Sequence, residues 1–251
     1  MKKMRTLARK LRKAADLMDV QDAWEARRLG VPLNLYRFFQ RVNVIAPIQT
    51  ILDIGANRGD FSRFCAVSFP DATIHAFEPL TECRPVLKEL AGKYQQIHLH
   101  PVALGETAGE VEMFENAYNP SSSILPMLDR HRELWPKTAW DKKIRVTMET
   151  LDHFVKNLDL KPPLFIKIDV QGYEMHVLSG AKRVLQNTSV IMTEVLFEPL
   201  YKDQADFIEI VNFLGGQGFR FTEFVDERRL PPYDTLAYAD AAFVKMPDRR
   251  L

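Results

Sequence analysis

The chain has 251 residues, 46% hydrophobic and 27% charged, with a formal net charge of +1: enough apolar content for one sizeable core, and not the composition of a disordered chain. A charge so near zero gives no global footprint for nucleic acid, and no apolar run approaches the roughly 20 residues that span a bilayer. Two cysteines, Cys65 and Cys83, at no metal-ligand spacing point to a reduced, cytoplasmic compartment.

At the start of the chain, Lys2, Lys3, Arg5, Arg9, Lys10, Arg12 and Lys13 precede any acid, while Met4, Leu7, Leu11 and Met18 recur at helical spacing. The pattern predicts a basic amphipathic helix without the continuous apolar core of a signal peptide. Residues 1–46 are expected to form a helical extension. It would pack on the domain, on a second subunit of a homodimer, or peripherally on an anionic inner membrane surface. Trp24, Leu29, Leu33, Tyr36, Phe38 and Phe39 continue it as an apolar lead-in, expected to cover part of the mouth of a site.

The first strand, 50–54, runs into Asp53-Ile54-Gly55-Ala56-Asn57-Arg58-Gly59, a helix is predicted over 59–68, and a second strand over 73–77 ends at Glu78. Gly55 and Gly59 permit positive φ and a close backbone approach to a ligand. Asp53 is expected at the strand's carboxyl end facing the crevice, and a carboxylate at Glu78 suits the two hydroxyls of a ribose. A dinucleotide loop wants Gly-x-Gly-x-x-Gly for its pyrophosphate, whereas Gly55-x-x-x-Gly59 lacks the middle glycine and has an acid just ahead of it. That favours the cationic S-adenosylmethionine over NAD.

Further along, helices are predicted at 80–91, 174–186 and 203–215, and strands at 97–100, 164–169, 189–194, 218–222 and 239–245. The alternation builds a mostly parallel sheet. The last two strands are joined through Pro231-Pro232, too short a path for a crossover, and are expected to be antiparallel. An insertion at about 109–148 carries short strands near 111–114 and 144–147 around an aperiodic stretch, 115–143. The domain is expected to occupy residues 47–247, with this insertion as its substrate lid.

Read together, the motifs identify the chain as resembling the FkbM family of methyltransferases. The resemblance rests on Asp53–Gly59, Phe77-Glu78-Pro79, Ala103-Leu104-Gly105, Ser121-Ser122-Ser123, Thr150-Leu151-Asp152 and Ile166-Lys167-Ile168-Asp169-Val170-Gln171-Gly172-Tyr173-Glu174, in order over about residues 50–195. It implies a Rossmann-like class I α/β sheet, mostly parallel with a C-terminal antiparallel hairpin. It also implies S-adenosylmethionine as methyl donor, S-adenosylhomocysteine as product, and O-methylation of a small molecule or saccharide. Asn57 and Ala103 join Asp53, Gly55, Gly59, Glu78 and Asp169 as expected cofactor-binding positions on the same ground. Gln171 departs from the glutamate common in the family.

For chemistry, Asp169 at the end of a buried strand is expected to hold the donor's amino group or orient an acceptor hydroxyl, with Glu194 across the crevice mouth and His131 in the insertion as further catalytic candidates. Two acids at neighbouring strand ends also suit a divalent cation, but no third oxygen ligand is evident, and no metal site is assigned. His98-x-His100 is read as structural. Ser121, Ser122 and Ser123 offer hydroxyls to a sugar, and His131, Trp135 and Trp140 offer flat faces, with Trp140 taken as the stacking residue. Two other classes stay open: a methyltransferase acting on protein or RNA, and an inactive donor-binding module.

Overall fold

A computed structural model describes residues 20–246. The basic amphipathic stretch expected to form a helix at the start of the chain, Lys2 to Met18, lies outside these residues. Described residues begin in helix α1 (20–29), followed by α2 (Leu33–Ile45), β1 (Thr50–Ile54), α3 (Asp60–Ser68), β2 (Thr73–Phe77), α4 (Arg84–Lys93) and β3 (Ile97–His100). Next come β4 (Ala103–Leu104), β5 (Gly109–Asn116), α5 (Asp129–Leu134), β6 (Asp141–Glu149), α6 (Leu151–Phe154), β7 (Leu164–Ile168) and α7 (Glu174–Ser179). The chain closes with β8 (Thr188–Leu196), α8 (Phe207–Gly216), β9 (Phe219–Leu230) and β10 (Thr235–Lys245).

Seven strands form one sheet in the order β3-β2-β1-β7-β8-β10-β9. The neighbours from β3 to β8 are parallel, and β10 runs antiparallel between β8 and β9, the terminal hairpin expected from the short Pro231-Pro232 link. Sheet order reverses between β1 and β7, so the loops after these two strands diverge and open a crevice at their carboxyl ends. Both strands are buried at every position, as central parallel strands should be. Phe38 and Phe39 of α2 meet Phe61 of α3, Phe69 just after it and Phe165 of β7 edge to face, so the lead-in helix is part of the core beneath the crevice.

The insertion adds a separate three-stranded sheet, β4-β6-β5, whose β5–β6 hairpin is longer than the short strands expected. The helix expected over 174–186 ends at Ser179. Gly180 lies so close to Gly105 that a Cβ would fall 2.0 Å from its carbonyl oxygen, and the Asp152 carboxylate accepts the amides of Arg183 and Val184. These contacts draw the chain out of helical geometry. β9 runs past the expected 222 to Leu230 because its polar residues ladder onto β10 while remaining largely exposed. No helix among the described residues is long and apolar enough to cross a membrane.

Candidate active site

Two glycines shape the turn after β1, in different ways. Gly55 has φ +80°, and a Cβ there would lie 1.9 Å from the Asp169 carbonyl oxygen, so only glycine lets the loops after β1 and β7 touch. Gly59 has φ +82° and packs against Leu87 and Leu90 of α4, where a Cβ would collide; its role is helix packing. Asn57 also takes a positive φ, and its amide donates to Glu78 Oε2 at 2.8 Å while the Leu80 amide donates to Oε1 at 2.8 Å. The loop's free N–H is thus directed to a carboxylate and is not available to cradle a phosphate. Burial pushes the Glu78 carboxyl up to about 7 against the pull of these two amides.

A cleft enclosing about 650 Å³ opens over this turn. Gly55, Asn57 and Glu78 form one side, and Val102, Ala103, Leu104 and Tyr173 make an apolar slot beside them. A second cleft of about 880 Å³ continues from Gly55 and Asn57 past Asn34 and Leu35 of the lead-in helix to Lys167, Asp169 and Asp240. Of the lead-in, Asn34 and Leu35 line this cleft, while the expected Tyr36, Phe38 and Phe39 are buried in the core. A third, of about 1750 Å³, lies under the insertion between Trp135, Tyr238, Asp169, Gln171, Glu194 and Asp240. Asp169 lines all three clefts.

Charge concentrates where they meet. Asp53 differs from the expectation that it faces the crevice: it is 0% exposed and lines none of the clefts, its Oδ2 accepting the Ser62 hydroxyl at 2.5 Å. The buried Lys167 side chain lies 4.0 Å from Asp53 Oδ1 and donates to Asp169 Oδ2 at 3.0 Å, turning Asp53 inward. Burial pulls the Lys167 ammonium down, but Asp169, Asp53 and Asp240 together hold it above the ordinary lysine value. Burial also raises Asp53.

Gln171, at φ +58°, bridges the expected catalytic acids: its Nε2 donates to Asp169 Oδ1 and to Glu194 Oε2, both at 2.9 Å. An amide donor fills the position a bridging cation would need. Among the described residues, no three His, Cys, Asp or Glu side chains are grouped to hold a metal. Glu194 is pushed well above the ordinary carboxylate range by burial and then by Asp169 and Glu174. Its Oε2 already accepts from Gln171, so Glu194 stands in the crevice as one end of the Asp169–Gln171–Glu194 bridge. Glu174 accepts the amides of Val170 and Gly172, pinning the turn that carries Asp169 and Gln171.

His131 borders the third cleft, but its Nδ1 is 3.0 Å from the Thr138 hydroxyl and its Nε2 is 3.3 Å from the Tyr201 hydroxyl. With both ring nitrogens engaged and burial lowering its pKa to about 4, His131 stands as a wall residue. Of the serine run, Ser121 borders the third cleft and Ser122 the first, with Ser122 Oγ accepting the Asn116 amide. Ser123 borders none of these clefts; its hydroxyl donates to the Gln171 carbonyl and tethers the insertion to the turn after β7. Trp140 is 63% exposed and outside every cleft, because it precedes β6 on the outer side of the insertion. Trp135 stands in its place, 5.9 Å from Tyr238.

Sequence reasoning missed Tyr201, Tyr238 and Asp240. Tyr201 gave no local signal. Asp240, a lone acid in the apolar run Ala239-Asp240-Ala241-Ala242, was a signal of the same kind as Lys167. His98 and His100 stack with His75 on the β2–β3 edge, with His75 Nδ1 2.9 Å from His100 Nε2.

A family model described as the methyltransferase FkbM domain matches residues 53–221. The 2-O-methyltransferase NoeI of Sinorhizobium fredii is 27% identical over 179 residues, covering 67% of this chain and 72% of its own. The hexuronic acid methyltransferase AglP of Haloferax volcanii is 21% identical over 179 residues, covering 71% of this chain and 68% of its own. Among solved structures, a methyltransferase FkbM from Methylobacillus flagellatus superposes with a TM-score of 0.51 at 14% identity. That match covers 79% of this chain but only 44% of the solved chain, and it speaks to the fold alone.

Proposed function

The chain belongs to the FkbM family of methyltransferases, and on that premise we propose that it transfers a methyl group from S-adenosylmethionine to a hydroxyl of a saccharide. One observation carries the reading. A cleft with a polar wall of Asn57 and Glu78 and an apolar slot meets a larger cleft with an aromatic corner, and Asp169 and Gln171 belong to both.

The residues present fit the donor. Glu78 is a buried carboxylate with no ion-pair partner among the described residues, placed to accept ribose hydroxyls. The slot of Val102, Ala103, Leu104 and Tyr173 suits an adenine face, and Gly55 lines both of the first two clefts. Asp169, at the junction, is placed for the donor's amino group. When bound, S-adenosylmethionine supplies an already electrophilic methyl group, so the protein must supply alignment, exclusion of water and a proton acceptor.

Trp135 and Tyr238 offer faces for a sugar ring, while Gln171, Glu194 and Asp240 offer polar partners to its hydroxyls. NoeI and AglP, a 2-O-methyltransferase and a hexuronic acid methyltransferase by name, support this acceptor class. The insertion serves as the lid, held by Ser123 against the Gln171 carbonyl.

The test is transfer of labelled methyl groups from S-adenosylmethionine to a panel of neutral hexosides, deoxyhexosides and hexuronosides, with bulk protein and RNA as competitors. Label on a glycoside hydroxyl is the expected result. Label entering only protein or RNA would overturn the acceptor class.

A further inference from the structure

We propose that Asp240 takes the proton of the acceptor hydroxyl, and that arrival of the positively charged donor is what frees its carboxylate to do so. The proposal deepens the reading above and rests on it.

Three acids stand where the clefts meet, and their surroundings differ. Asp169 is engaged by Lys167 and Gln171, and Glu194 by Gln171. Among the described residues, no group hydrogen-bonds the Asp240 side chain, and it alone of the three has both oxygens free. Asp240 lies in β10, in register with Glu194 on β8 and with Asp226 on β9. It lines both the cleft assigned to the acceptor and the one leading past Gly55. A carboxylate at that shared wall reaches an acceptor hydroxyl from one side and senses the donor's charge from the other.

The charged groups around it set the switch. Lys167 and Asp169 face it from β7 and the turn beyond, Glu194 from β8, and Asp226 and Arg228 from β9. Lys137 of the insertion, Glu227 of β9, Arg58 of the β1 turn and Asp60 at the start of α3 line the same two clefts. Burial first and then the charge of Asp169 push Asp240 up to about 7, with Asp226 adding and Lys167 opposing. Near neutrality, Asp240 is therefore poised between its two forms. A cation entering beside it shifts the balance to carboxylate, and a proton leaves for solvent.

In the transfer step, the acceptor's O–H bond breaks and its proton bonds to Asp240. The acceptor oxygen bonds to the methyl carbon, and the carbon–sulfur electron pair stays with sulfur as an uncharged thioether. With the positive charge gone, Asp240 keeps the proton until the next donor arrives. The reaction's net proton then leaves at donor binding.

The test is calorimetric titration of the full chain at pH 7 with S-adenosylmethionine and with S-adenosylhomocysteine, each in two buffers of different ionisation enthalpy. A donor-induced drop of one unit in Asp240 predicts release of about 0.4 proton more with S-adenosylmethionine than with the uncharged thioether, any release from Glu78 on ribose binding being common to both. Asp240→Asn should abolish that excess and weaken S-adenosylmethionine about fivefold, leaving S-adenosylhomocysteine unchanged. Equal release with both ligands in the wild type, or no release with either, would overturn the proposal even if the variant does not fold. Equal weakening of both ligands in Asp240→Asn would also overturn it, making Asp240 a holder of the donor's amino group. Failure of the wild type to bind either ligand would instead overturn the reading of the site on which the proposal rests.

Discussion

Removing the ammonium of Lys167 tests how the acidic junction is held together. In Lys167→Met, a side chain of similar length fills the same channel without its charge. The Lys167 ammonium lies 3.0 Å from Asp169 and 4.0 Å from Asp53. At an effective dielectric of about 20, those separations correspond to gross attractions of about 5.5 and about 4 kcal/mol. Desolvation of the buried ammonium offsets much of this, and breaking such a buried group is expected to cost about 3–5 kcal/mol. Asp53 is fully buried and would keep only the Ser62 hydroxyl. Without the cation, the folded state can neutralise Asp53 by taking up a proton, so the deficit should shrink as the pH falls from 7.5 toward 5. Urea unfolding of both proteins across that range reads the effect, and Asp53→Asn in the Lys167→Met background should recover part of it. A loss below about 1 kcal/mol at pH 7.5, or one that does not vary with pH, would refute the reasoning.

Other outcomes follow from single contacts. Gly55→Ala meets both a left-handed backbone and the Asp169 carbonyl, and is expected to cost about 3 kcal/mol in urea unfolding and to abolish donor binding. Tyr201→Phe removes the hydroxyl that donates to the half-buried Gln171 Oε1 at 2.8 Å; a loss of about 0.5–1.5 kcal/mol is expected by thermal or urea unfolding. His75 is buried beside His100 and His98, with its pKa lowered from 6.5 to about 4. The unfolded chain therefore takes up a proton that the fold refuses, and the stability due to a neutral His75 is lost as pH falls from 6.5 toward 4, by up to about 3 kcal/mol. Glu78, Glu174 and Asp240, each pushed up to about 7, change stability in the opposite sense as pH falls. The measurement is accordingly the difference between wild type and His75→Val, which should narrow on acidification.

What could be read in the sequence was whatever local chemistry dictates. The β1 turn announced itself because glycine is the residue suited to the positive φ at Gly55, and the predominantly apolar strands β1 and β7 beside it read as central ones. The final hairpin followed from a link too short for a crossover. The errors lie where distant segments meet. Helical periodicity at 174–186 carried no sign that Gly180 would be drawn against Gly105. Asp53 looked like a crevice acid because nothing local said that Lys167, on another strand, would turn it inward. Trp140 and Trp135 are equally aromatic and close in sequence, and only the fold of the insertion sets one outward and the other beside Tyr238. Asp240 needed the register of β10 against β8 and β9 to become visible as a partner of Glu194 and Asp226.

The most direct test of the account is a crystal structure of the protein with S-adenosylhomocysteine. The account predicts ribose hydroxyls on Glu78, adenine between Ala103, Leu104 and Tyr173, and the amino-acid tail crossing Gly55 toward Asp169. The thioether sulfur should face the cleft that holds Trp135, Tyr238 and Asp240. Ligand bound away from Glu78, or sulfur turned away from that cleft, would contradict it.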